Sequence, residues 1–146
     1  MPRAIASIAA GEAGERPIRD TLLLDHEQRK SPSGLVSALR GTAIELALPR
    51  GIALRHDDLL LLDDGGLVEV VARPEELIEI RADDISLLAR AAWLLGDHHI
   101  PAELNERRLR VRRGEAIAAL LMPLGLKLAN IEAPFEPEGG AYRHKG

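Results

Sequence analysis

The sequence predicts an α+β protein in two parts: a small β-rich domain over residues 1–72 and a β-α-β-β-α-β domain over residues 73–136, with residues 137–146 as a flexible C-terminal tail. Three observations carry that prediction. Up to Arg73 the apolar residues alternate or run in short blocks between Gly, Pro and Asp clusters, the pattern of strands and turns. Beyond Arg73, apolar residues recur at helical spacing in two stretches, each flanked by strand-like segments. Lastly, 46% of the residues are hydrophobic while Trp93, Phe135 and Tyr142 are the only aromatics, so the chain can bury a core and that core is aliphatic.

In chain order, "DTLLLDHEQRKSPSG" reads as a strand running into a loop at Ser31, Pro32, Ser33 and Gly34. "TAIELALP" alternates Ile44, Leu46 and Leu48 with Glu45 and small residues, then closes in a turn at Pro49 and Gly51. "DLLLLDDGGLVEVVAR" sets Asp63, Asp64, Gly65 and Gly66 between two apolar runs, which predicts a hairpin. After Arg73 the strand "ELIEIRA" leads to Asp83 and Asp84, either of which can cap a helix with Ile85, Leu88, Ala89, Ala92 and Leu95 on its inner face and Gly96 as its stop. "IPAEL" and "RLRVR" flank "NER" as a second hairpin. "GEAIAALLMPLGL" forms another helix, with Ile117, Leu120, Leu121 and Leu124 on one face and Gly125 as its stop, and "KLANIEA" is the last strand. That order is the split arrangement of ferredoxin-like domains.

Composition narrows the function. Cysteine is absent, which excludes a disulfide framework and thiolate metal ligands and suits a reducing compartment. The N-terminal apolar stretch is broken by Gly and Glu and no membrane-length run follows, so a soluble cytoplasmic protein without membrane association is expected. A formal charge of -4 offers no general attraction for nucleic acid. The five arginines of "NERRLRVRR" alternate with Leu109 and Val111 and read as the solvated face of a strand. No nucleophile elbow or phosphate-binding loop is present, and the adjacent Asp57 and Asp58 would point apart in a strand, so no enzyme is expected.

Of five histidines, two are adjacent, in "LLGDHHIPAEL"; His26 and His56 read as surface residues. Taken with "LPRGIALRHDDLLLLDDG" in the first half, the corner "ARAAWLLGDHHIP" and the ending "IEAPFEPEGGAYRHKG", the sequence resembles the family of the urease accessory protein UreE, nickel metallochaperones, over nearly its whole length. The resemblance implies a homodimer that binds Ni(II), with Zn(II) or Cu(II) able to occupy the site in vitro. It further implies a first domain of peptide-binding type, and the urease accessory GTPase and the urease pre-activation complex as partners. The family's corner is usually Gly-Asn-Arg-His-x-Pro, with the histidine a nickel ligand at the dimer interface. Gly96, His99 and Pro101 match it, so the resemblance makes His99 the ligand; Asp97 and His98 depart from the usual Asn and Arg. Many relatives carry a histidine-rich tail, where this chain has His144 alone.

One imidazole cannot hold a divalent ion that takes about four to six donors. Adjacent side chains diverge, so His98 and His99 of one chain are poorly placed to chelate one ion. A two-fold axis answers the shortage by bringing His99 from both chains together, with His144 and, less directly, His98 as further donors. The competing reading is a metal-independent protein-interaction adaptor in which His99 is structural.

Overall fold

The structure, a computed structural model, describes residues 1–138. The chain divides into two compact units, Met1–Arg73 and Pro74 onward. Among the described residues no helix is long and apolar enough to cross a membrane.

The first unit is a six-stranded sheet of β1 (Arg3–Ile8), β2 (Ile18–Leu24), β3 (Gly34–Ser37), β4 (Ala43–Leu46), β5 (Leu59–Leu62) and β6 (Leu67–Ala72), in the order β2-β6-β5-β1-β4-β3. Its core contains Leu22, Leu24, Ile44, Leu46, Leu60, Leu62, Val68 and Val70. Each such side chain contributes about 1.5–3 kcal/mol relative to leaving it in water. The β5–β6 hairpin turns at the predicted aspartates and glycines, with Leu62 accepting from Gly65 N–H at 2.9 Å. There Arg19 forms a two-pronged ion pair with Asp64 at 2.8 and 3.1 Å and lies over Gly66, where a Cβ would collide with the guanidinium.

The outer strands are tied together. Leu39 N–H donates to Thr21 O at 2.9 Å, and Arg40 N–H to Oδ1 of the buried Asp20 at 2.9 Å. The turn after β3 is thereby fastened to β2, the strand at the far end of the order. The Asp20 carboxyl lies below its usual range: burial opposes ionisation, but hydrogen bonds from Arg40, Thr21 and Thr42 together outweigh it.

Two features of this unit differ from expectation. The strand expected to run into the loop at Ser31 ends at Leu24, and helix α1 (His26–Lys30) intervenes, started by a capping box in which Gln28 N–H donates to Asp25 at 2.8 Å and Asp25 N–H donates to Gln28 Oε1 at 2.9 Å. The short strands β1 and β3 also fall outside the expected elements; each gains its regularity from pairing with β4.

The second unit contains β7 (Pro74–Arg81), α2 (Ile85–Asp97), β8 (Ala102–Leu104), β9 (Leu109–Arg112), α3 (Glu115–Leu121) and β10 (Lys127–Pro134). The four-stranded sheet has the order β10-β7-β9-β8 and is antiparallel throughout, which is the ferredoxin-like arrangement expected. Both helices pack on one face through Leu88, Ala91, Leu95 and Leu121, against Ile78, Ile80, Leu109 and Val111. Asp84 caps α2, its Oδ1 accepting from Ser86 N–H at 2.9 Å. The inner face of α2 is rotated from the predicted one: Ala91 is buried, whereas Ile85 and Ala89 are exposed. Gly125, at φ 72, ends the short turn after α3 as predicted.

On the opposite face, β7, β8 and β9, with Arg108 just ahead of β9, bring Glu79, Glu103, Arg108 and Arg110 together. Arg108 meets Glu103 at 2.8 Å and Arg110 meets Glu79 at 3.2 Å. Burial raises the Glu79 carboxyl, yet Arg110 and Arg81 hold it below its usual range. The arginine-rich strand is therefore neutralised by its own sheet, which supports reading it as a strand face.

Candidate functional site

The corner after α2 is built from backbone upward. The helix does not stop at Gly96, as the glycine suggested, but continues through Asp97 to a cap at His98. His99 then takes φ 56, the left-handed conformation that normally calls for glycine and that histidine tolerates better than most residues. Ile100 N–H donates to Leu95 O at 2.9 Å and His99 N–H to Gly96 O at 3.0 Å. These two bonds form the Schellman ending of a helix, with His99 in the position where glycine is usual. Ile100 packs back onto the core that contains Leu95, completing the motif's apolar contact. Pro101 follows and β8 begins at Ala102.

The conformation decides what the histidines can do. Asp97, His98 and His99 are all exposed, and the last turn of α2 carries no basic residue. The negative end of the helix dipole and the Asp97 carboxylate thus favour a cation at this corner. His98, at φ -89, and His99, at φ 56, have unlike backbone conformations, so their side chains leave the chain in different directions. Among the described residues no group of three or more His, Asp or Glu converges to hold a metal ion.

The chain returns to this corner after its last strand. Phe135 is fully buried, with the Arg112 guanidinium 5.2 Å from its ring centre. Glu136 N–H then donates to Glu103 Oε1 at 3.0 Å and Glu138 N–H to Ala102 O at 2.8 Å. Residue 138 is therefore fastened to β8 three residues from His99. Nothing in the spacing of the sequence announces that fastening; the apolar Phe135 between charged and proline residues is the one available signal. His144 and most of the predicted 137–146 tail lie outside the described residues.

The remaining histidines are accounted for locally. His56 Nδ1 accepts from Ala72 N–H at 3.1 Å, which places the ring proton on Nε2, itself 3.3 Å from Asp57 Oδ1. His56 thus serves the end of β6. It is exposed, as expected. His26, expected at the surface, is only partly exposed as the first residue of α1, with Nδ1 4.0 Å from Glu27.

Comparison with known proteins adds a separate line. The model of the N-terminal domain of UreE urease accessory protein matches residues 4–73, and that of the C-terminal domain matches residues 75–146. Urease accessory protein UreE of Rhodopseudomonas palustris strain HaA2 is 46% identical over 134 residues, 90% of this chain and 62% of the relative. The protein of the same name from Beijerinckia indica is 42% identical over 146 residues, covering 100% of this chain and 84% of the relative. That of Ruegeria strain TM1040 is 38% identical over 143 residues, covering 98% and 80%. The chain thus spans less than two thirds of the Rhodopseudomonas relative's length.

Proposed function

This chain belongs to the family of the urease accessory protein UreE, and from that premise we propose that it is a cytoplasmic metallochaperone that carries Ni(II) to urease during its maturation. The observation that carries the proposal is the His99 corner: an exposed imidazole at the negative end of a helix, beside a carboxylate, in a backbone conformation fixed by two hydrogen bonds. Nickel here is cargo and not a resident cofactor, so the site needs to hold the ion and also to release it.

A single corner supplies too few donors, and homodimerisation supplies more. The outward face of α2 presents Ile85, Ala89 and Trp93, with Ile85 73% and Trp93 70% exposed, and ends beside His99. An apolar helix face with small residues at Ala89 and Gly96 suits close packing against its own copy. A two-fold axis there would bring His99 of both chains to one ion. The fastening of Glu138 to Ala102 supports His144 as a further donor. His144 lies six positions beyond Glu138, a reach of up to about 20 Å in extended chain. His98 and Asp97 are left for weaker or transient contact, and water completes the shell. Imidazole also accepts Zn(II) and Cu(II), and Cu(II) binds such donors more tightly. Preference for nickel would then rest on supply and on handover to the accessory GTPase and the urease pre-activation complex, with the β-rich first domain as the docking module.

Calorimetric nickel titration tests the proposal. Wild type should bind one tight ion per dimer, and His99→Ala should remain dimeric but lose that ion. Wild-type affinity and stoichiometry in His99→Ala would overturn it in favour of a metal-independent adaptor.

A further inference from the structure

We infer that Ile100 is a positioning residue for the metal corner: by anchoring the Schellman ending in the core, it keeps His99 in the left-handed conformation that holds its imidazole outside the fold. The inference rests on the proposed role of His99 as a ligand. Four observations place the constraint at residue 100. His99 occupies φ 56, a region where an L-residue stays only if its surroundings hold it. Both bonds that close the helix end, from His99 N–H to Gly96 O and from Ile100 N–H to Leu95 O, require residues 99 and 100 to turn back over the last helical turn. Ile100 packs with the cluster containing Leu95, while its neighbours Asp97, His98 and His99 are all exposed. Pro101 then fixes its own φ and biases Ile100 toward extended backbone, which sends the chain into β8.

Without the side chain of Ile100, nothing apolar would fasten this corner between Leu95 and β8. The last turn of α2 would then fray, and His99 would sample the right-handed region as well. An imidazole held in one direction meets an ion without first giving up that freedom. One left to wander binds more weakly although every donor is still present.

The experiment compares two isoleucines that pack partly buried on the same core. Ile100 lies at the corner and Ile117 lies on α3. Ile100→Ala and Ile117→Ala are prepared in the full chain, with Ile100→Val and Ile117→Val as milder versions should either alanine variant fail to fold. Nickel affinity of each dimer is measured by calorimetry alongside urea unfolding. Ile100→Ala should weaken nickel binding about three- to tenfold, Ile100→Val should restore most of it, and Ile117→Ala should bind as wild type despite comparable loss of stability. Equal loss of affinity in Ile100→Ala and Ile117→Ala would reduce Ile100 to a structural role. Unchanged affinity in Ile100→Ala would overturn the inference outright. Loss of the His99 dependence itself, with His99→Ala binding as wild type, is a separate result that overturns the proposed function instead.

Discussion

Replacing His99 by glycine separates its place at the helix stop from its proposed role as a ligand. At φ 56 the backbone of residue 99 lies where an L-residue gives up about 1–2 kcal/mol and glycine gives up nothing. Glycine's freer unfolded chain takes back about 0.4–1 kcal/mol. The imidazole is exposed, so its removal forfeits little packing. His99→Gly should therefore range from neutral to about 1.5 kcal/mol more stable than wild type. His99→Ala keeps the Cβ and its clash, and loses whatever local accommodation histidine finds, so it should unfold about 1 kcal/mol more readily than His99→Gly. Urea unfolding at matched protein concentration measures the difference, since the proposed dimer would make stability depend on concentration. Nickel titration of the same samples should show the tight ion absent from both, because both lack the ring. If alanine proves as stable as glycine, residue 99 is not held in the left-handed region in solution, and the Schellman ending does not shape the corner.

Other perturbations have definite outcomes. Trp93→Glu puts a charge on the exposed α2 face and should yield a monomer in sedimentation, with the tight nickel ion lost although His99 is intact. Phe135→Ala empties a fully buried site and should destabilise by about 3–5 kcal/mol in urea unfolding. His144→Ala should weaken nickel roughly a few-fold by calorimetry, since water would replace the donor proposed for the tail. Asp20 predicts a pH effect. A folded value below the usual range means that its stabilisation is complete above the unfolded carboxyl value of about 3.9 and is lost as pH falls through the folded value. Asp20→Asn should accordingly be less stable than wild type at neutral pH and show a smaller loss of stability on acidification below about pH 4, read from urea midpoints across pH.

By itself the sequence determined the two-part α+β architecture and the order of the second unit's elements, because period-two and helical spacing are local and the turn residues between them are punctuation. The Asp63 to Gly66 hairpin and the Gly125 stop were legible for the same reason. The α1 capping box is also a local signal, carried by Asp25 and Gln28, though the Ser-Pro-Ser-Gly run just beyond it favours a loop. The resemblance at Gly96, His99 and Pro101 pointed to the histidine proposed as ligand, but the glycine misdirected the helix end. A helix stops where its last carbonyls find partners, and those partners were supplied by residues 99 and 100 once Ile100 could pack on Leu95 and its neighbours. The rotation of α2 that buries Ala91 and leaves Ile85 and Ala89 outside was likewise a tertiary decision, since an aliphatic helix offers more apolar residues than one face can bury. The pairing of β1 with β4 and β5, the tie from Arg40 to Asp20 and the return of Glu138 to Ala102 join residues far apart in the chain. No spacing rule reaches that far, and only the packed fold, by bringing those backbones within hydrogen-bonding distance, places the start of the tail beside the histidine corner.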